Sequence, residues 1–372
     1  MNPSQTLLDF PAPDRVRGFR LGWDHARHGL APLATGLEID SPLLQGWRAA
    51  RAVHRLQHAP RHRHLRLWLA LRLRALQQGR AFDESRITPA FLAELDVSHC
   101  PVTRRPLGGS CREGDAPEVV AVGNGGWVAG RVVVVSRVVA RAMAGVTCDD
   151  ALHRARRAEA AGTDVAPGLD AGAWRRLASL LAFVEPAGHA RCARLAATLL
   201  PPQRFEVLSP AYGLQAAITC QLASAGWSRR LRELAEHLGE RDGREEFLLL
   251  MGALAPRVLE LPQAVSGESA MRHALEDIWL DTRVQQRWQQ CLLRWGEAMT
   301  RALLVRATGA GWPGVRETSP AAPAAVSRHR ETARAPAATP AVPVPCLRRP
   351  ARRHARRASC ATGAPTVQAT AA

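Results

Sequence analysis

The chain has 372 residues, 47% apolar and 22% charged, with 50 basic residues against 33 acidic ones and a formal charge of +17. That length allows two domains of about 150 residues and a remainder. The composition excludes a collagen-like or wholly disordered chain and an acidic solvating protein. Every basic residue is arginine. GC-rich coding also favours arginine over lysine, so the total charge makes a polyanionic partner plausible without naming one.

The position of the charge is more informative than its sum. Ser41 to Phe82 holds nine arginines, four histidines and no acid, and Pro313 to the C-terminus holds ten arginines against Glu317 and Glu331. These two segments carry the whole excess. Met1 to Arg15 shows no basic region leading into an apolar one, so no secretory signal is expected. No apolar run reaches the roughly 20 residues of a spanning helix, so no membrane partner is expected. Eight widely spaced cysteines without a CxxC pair read as the reduced thiols of a cytoplasmic protein.

In chain order, residues 1–40 carry little periodicity, are broken by Pro11, Pro13 and Pro32, and read as an irregular lead-in. From Pro42 to Gln57 the apolar positions Leu43, Leu44, Trp47, Ala50, Val53 and Leu56 recur at three and four, which predicts an amphipathic helix. Leu65, Leu67, Leu69, Leu71 and Leu73 alternate at a strand period. Their neighbours are leucine, alanine and arginine without β-branching, so helix is the expectation. A short helix follows around Thr88 to Leu95, closing a basic helical segment over 41–95.

Residues 96–150 change character. A Cys100-Pro101 turn is followed by the apolar run Val119 to Val122, then Asn124-Gly125-Gly126, then Val132 to Val135 and Ser136. A glycine-rich turn between β-branched runs is a hairpin signal. The helical domain expected over 151–311 has start signals at Asp170, Ser209 with Pro210, Ser228 and Asp281. Its last helix carries the stripe Trp288, Leu292, Trp295, Met299 and Leu303, which reads as core packing. Beyond 312 the alanine, proline and arginine composition predicts disorder and an unspecific polycation.

The order Cys100-Pro101, Asn124, Gly126-Trp127-Val-Ala-Gly130-Arg131, Val-Val-Val-Val-Ser136-Arg137 resembles HNH-type endonuclease domains of the phage-associated kind. Their pattern runs Cys-Pro, Asp-Arg, Asn, Gly-Tyr-x-x-Gly-Asn and Ser-x-x-Ala-Asn-x-x-Lys. The resemblance covers about fifty residues and implies a ββα, treble-clef-like hairpin. In that family the hairpin holds a divalent metal beside the scissile phosphate, and a side chain activates water. Here the Asp-Arg pair falls on Val120 and Ala121, the asparagine after the second glycine on Arg131, and the Ala-Asn and lysine on Val139, Ala140 and Met143. Scaffold positions survive at Cys100, Pro101, Asn124, Gly126, Trp127, Gly130, Ser136 and Arg137. The resemblance therefore implies a degenerate module without catalytic residues, metal or other cofactor. A divalent metal enters only in the alternative of an active nuclease with a divergent site.

A zinc set of Cys100, Cys111, Cys148 and His153 has suitable donor types, but its spacing matches no knuckle pair. There is no GxSxG, Walker loop or GxGxxG after a strand. The candidate nucleic-acid contacts are Arg48, Arg51, Arg55, Arg61, Arg63, Arg66, Arg72 and Arg74, because guanidinium groups pair with phosphate and no acid of the segment neutralises them. The expectation is a mainly α protein with a small ββα insert, associated with nucleic acid and not catalytic. The alternative is a helical protein-interaction scaffold with a protein partner.

Overall fold

The computed structural model describes residues 13–32, 40–53, 63–108, 113–162, 168–239, 243–261 and 267–313. The expected disordered tail, Arg55 and Arg61 lie outside them. Among the described residues the protein is mainly α, with thirteen helices and one two-stranded sheet. No helix among them is long and apolar enough to cross a membrane.

The N-terminal helices are α1 (Pro13–Arg27), α2 (Pro42–Val53), α3 (Arg63–Gln77) and α4 (Pro89–Glu94). α1 corrects the irregular lead-in expected for 1–40. Pro13 stands at the first position of the helix, where a missing N–H costs nothing. The helix then packs on α2 through glycines that a hydrophobic periodicity cannot register. A Cβ on Gly22 would lie 1.9 Å from the Leu43 carbonyl oxygen, and one on Gly46 would lie 1.9 Å from that of Phe19. The two backbones touch. α2 is described to Val53, short of the expected Gln57, and residues 54–62 lie outside the described residues. α3 is helical despite its alternating leucines, and it buries Leu65, Leu69, Leu71 and Leu73. Thr88 caps α4, its hydroxyl accepting from Phe91 N at 3.2 Å.

The hairpin pairs β1 (Pro117–Ala121) with β2 (Val132–Ser136) antiparallel, Val119 opposite Val134 and Val120 opposite Val133. Side chains alternate across a sheet, and here the alternate sets enter different cores. Val119, Val132 and Val134 pack with Leu71, Ile87, Leu92 and Trp127 of the N-terminal part. Val120, Val133 and Val135 join the large core of the C-terminal part. All five residues of β2 are buried. The hairpin is a septum between two helical lobes.

The C-terminal lobe is built from α5 (Arg137–Ala142), α6 (Cys148–Ala161), α7 (Ala171–Val184), α8 (His189–Arg194), α9 (Pro210–Leu222), α10 (Trp227–Ala235), α11 (Arg244–Leu259), α12 (Glu268–Asp277) and α13 (Thr282–Gly309). Asp170 and Asp281 cap α7 and α13, accepting from Ala173 N at 2.6 Å and Val284 N at 3.0 Å. α10 starts at Trp227 after Gly226 and not at Ser228, because Gly226 takes the left-handed turn (φ 74°) that opens it. α13 breaks at Gly296 (φ 65°, ψ 179°). Its stripe is core, with the Trp279, Trp288 and Trp295 rings meeting edge to face at centroid distances of 5.6 and 6.0 Å.

Candidate functional site

The turn that begins the HNH-like stretch is closed by Arg104 N donating to Cys100 O at 2.7 Å and Cys100 N donating to Arg105 O at 2.9 Å. Cys100 is buried and its sulfur accepts from Ser136 N at 3.3 Å, which ties the turn to the end of β2. Arg104, left-handed at φ 60°, reaches Asp277 at 2.7 Å and the buried Glu276 at 3.1 Å. Arg272 also donates to Glu276, at 3.1 Å. The buried Arg176 donates to Val102 O at 2.6 Å. The Cys-Pro turn, Pro101 included, is thereby locked onto α7 and α12.

The loop between the strands is held from the other side. Trp127 N donates to Ala81 O at 2.8 Å, and Trp127 O accepts from Asp83 N at 2.9 Å. The Trp127 ring is buried beside Phe82, 6.4 Å between centroids. Gly126 has φ 84°, and a Cβ there would sit 2.8 Å from Ala81 O, so this approach requires glycine. Gly130 lies against Glu206, whose N–H donates to its carbonyl at 2.6 Å. Asn124 is exposed at the loop tip. Ser136 is fully buried and precedes α5 without donating or accepting through its hydroxyl, and Arg137 begins that helix.

The positions onto which the resemblance maps the nuclease chemistry are apolar or cationic. Val120 and Val139 are buried, while Ala121, Ala140 and Met143 are partly buried against core. None of these carries an oxygen or nitrogen donor in its side chain. Arg131 donates from Nε to Glu206 at 3.3 Å, and a fixed cation at that place opposes a metal ion. These residues do not fit a divalent metal. His99 shares a hydrogen bond with Ser98 at 2.9 Å and faces His273, 6.5 Å between ring centroids. His273 is pushed down to about 4 by burial and by Arg104, with His99, Arg272 and Arg176 acting the same way.

The zinc set is not assembled either. Cys148 is buried at the start of α6, with its thiol pushed up to about 11 by burial and then by Glu185. His153 is exposed, and Cys111 lies outside the described residues. Among the described residues no group of three or more histidine, cysteine or carboxylate side chains is placed to hold a metal.

The basic segment gains in space the acids it lacks in sequence. Arg72 is buried, 2.5 Å from Asp24 and 2.8 Å from Glu84, with its guanidinium 4.4 Å from the Trp68 ring centroid. Arg74 pairs with the buried Glu118 at 3.1 Å. Arg63 grips both oxygens of Asp96, at 3.0 and 3.2 Å. These three arginines thus have carboxylate partners in the fold, and Arg72, being buried, is not open to a phosphate. Arg48, Arg51 and Arg66 are exposed, Arg51 lying 4.6 Å over the Trp47 ring. Two further cations were not singled out by the sequence. Arg17 of α1 and Arg80, just past α3, line one cleft. Arg80 belongs to the acid-free run, so charge alone could have found it, whereas Arg17 lay in the segment read as irregular.

No family model, curated protein or solved structure matches this chain.

Proposed function

We propose that this chain is a non-catalytic, nucleic-acid-associated protein in which a degenerate HNH-like ββα module braces two helical lobes. The observation that carries the reading is the content of the module's working positions. Val120, Ala121, Arg131, Val139, Ala140 and Met143 offer neither a metal ligand nor a group that can move a proton at neutral pH. Contact with the polyanion falls to exposed arginines of the N-terminal lobe, among them Arg48, Arg51 and Arg66, with Arg55, Arg61 and the arginine-rich segment after 312 as further contributors. Guanidinium binds phosphate through paired N–H groups, and each phosphate neutralised adds to the salt dependence.

Burial of both faces of the hairpin favours a second reading, a helical protein-interaction scaffold in which the module serves only as a brace. A titration of duplex and single-stranded oligonucleotides against the full chain at several salt concentrations separates the two. The nucleic-acid reading expects affinity that falls steeply with salt and weakens in an Arg48, Arg51 and Arg66 triple alanine variant. Binding that is absent at low salt sinks it. Plasmid nicking with Mg²⁺ or Mn²⁺ should give no turnover, and turnover lost on chelation would establish the nuclease alternative instead.

A further inference from the structure

Between α1 and the end of α3 lies a small open cleft, walled by Arg17, Arg72, Arg80 and Phe82 together with Asp14 and Glu84. Its three cations are not equivalent. Arg72 is saturated by Asp24 and Glu84. Arg17 reaches Asp14 only at 3.5 Å, and both side chains are largely exposed. Arg80 is partly buried and has no carboxylate partner among the described residues. One of its nitrogens, Nη2, donates to Gly123 O at 3.0 Å. Burial and the neighbouring Arg74 both disfavour its charge, and no acid offsets them.

A guanidinium drawn partly out of water beside a like charge is costly unless an anion answers it. The position is also fixed. Gly79 turns left-handed (φ 61°) and Arg80 N donates back to Ala75 O at 2.9 Å, a helix-ending motif that holds the residue in place. Phe82, packed on the buried Trp127 ring, makes the wall beside Arg80 rigid.

We infer that this cleft is a phosphate site, in which Arg80 and Arg17 grip one phosphate group of a nucleic-acid strand. The inference rests on the nucleic-acid reading above and gives it a location. The remaining N–H groups of Arg80 and the exposed fork of Arg17 supply the paired donors that a phosphate accepts. The cleft is shallow, so the two guanidinium groups would meet the phosphate at its mouth.

The test uses the full chain with two probes, a single-stranded oligonucleotide followed by fluorescence anisotropy and pyrophosphate followed as its competitor and by ³¹P line broadening. The variants are Arg17→Ala, Arg80→Ala and Arg80→Lys. Arg17 stands on the exposed wall, so its variant reports on the site even if Arg80→Ala loosens the loop that carries Gly123. Expected is a roughly tenfold loss of oligonucleotide affinity for each alanine variant, partial recovery with lysine, and a log–log salt slope shallower by about 1. Pyrophosphate should compete and should lose its line broadening in both alanine variants. Oligonucleotide binding unchanged in both, with no competition by pyrophosphate, overturns the cleft while leaving the broader reading intact. Pyrophosphate binding that depends on Arg17 and Arg80, without any oligonucleotide binding, supports the anion site and overturns the nucleic-acid reading. Binding of neither probe overturns both.

Discussion

Replacing Arg72 by alanine distinguishes a structural arginine from a phosphate ligand. The side chain is 3% exposed and holds Asp24 and Glu84 at 2.5 and 2.8 Å while lying 4.4 Å from the Trp68 ring centroid. Removing one partner of a buried ion pair costs about 3–5 kcal/mol, because the other charge stays behind unanswered. Asp24 and Glu84 retain some solvent contact, at 21% and 36% side-chain exposure, which places the loss near the lower end, ~3 kcal/mol. For a lobe of fewer than about 100 residues that corresponds to a fall in Tm of roughly 12–24 °C. Urea titration and thermal melting of the full chain measure it. Arg66→Ala, on an exposed face of the same helix, should change stability by less than about 0.5 kcal/mol. If Arg72→Ala melts within a degree of the parent, the hub described between α1, α3 and the 80s loop does not hold the lobe together, and its reassignment as structural fails.

Two further outcomes follow from the same lobe. Gly46→Ala places a methyl 1.9 Å from the Phe19 carbonyl oxygen. It should force α1 off α2, cost about 1–3 kcal/mol or more, and expose α1 to limited proteolysis. His25 is buried and its pKa is pushed down to about 4, chiefly by burial and then by Arg72. The unfolded chain therefore takes up a proton near 6.5 that the folded chain refuses until about pH 4. Stability is fully present above pH 6.5 and falls as the pH drops from 6.5 towards 4, by up to ~3 kcal/mol for this group. A His25→Phe variant should show a flatter stability profile over that window, and an unchanged slope would refute the assignment.

Much of the fold was legible because it rests on local signals. Asp170 and Asp281 cap the helices they were expected to cap, and the Asn-Gly-Gly loop separates two strands of β-branched residues. α1 was not legible, since its contact with α2 is made by Gly18, Gly22 and Gly46, which carry no hydrophobic signal. The charge pattern misled for a different reason. Asp24, Glu84, Asp96 and Glu118 lie outside or beyond the acid-free run in sequence and return to it in space, so a run without acids became a lobe with paired ones.

The bond from Arg104 to Asp277 spans 173 residues of chain. At roughly 5–20 residues per second of synthesis, the Cys-Pro turn waits about 10–35 seconds for the carboxylates that fasten it. Cover for the hairpin does not wait that long, because α5, which packs on both strands, follows β2 directly in the chain. Substitutions of Glu276 or Asp277 in α12 should therefore loosen the Cys-Pro turn while leaving the hairpin covered.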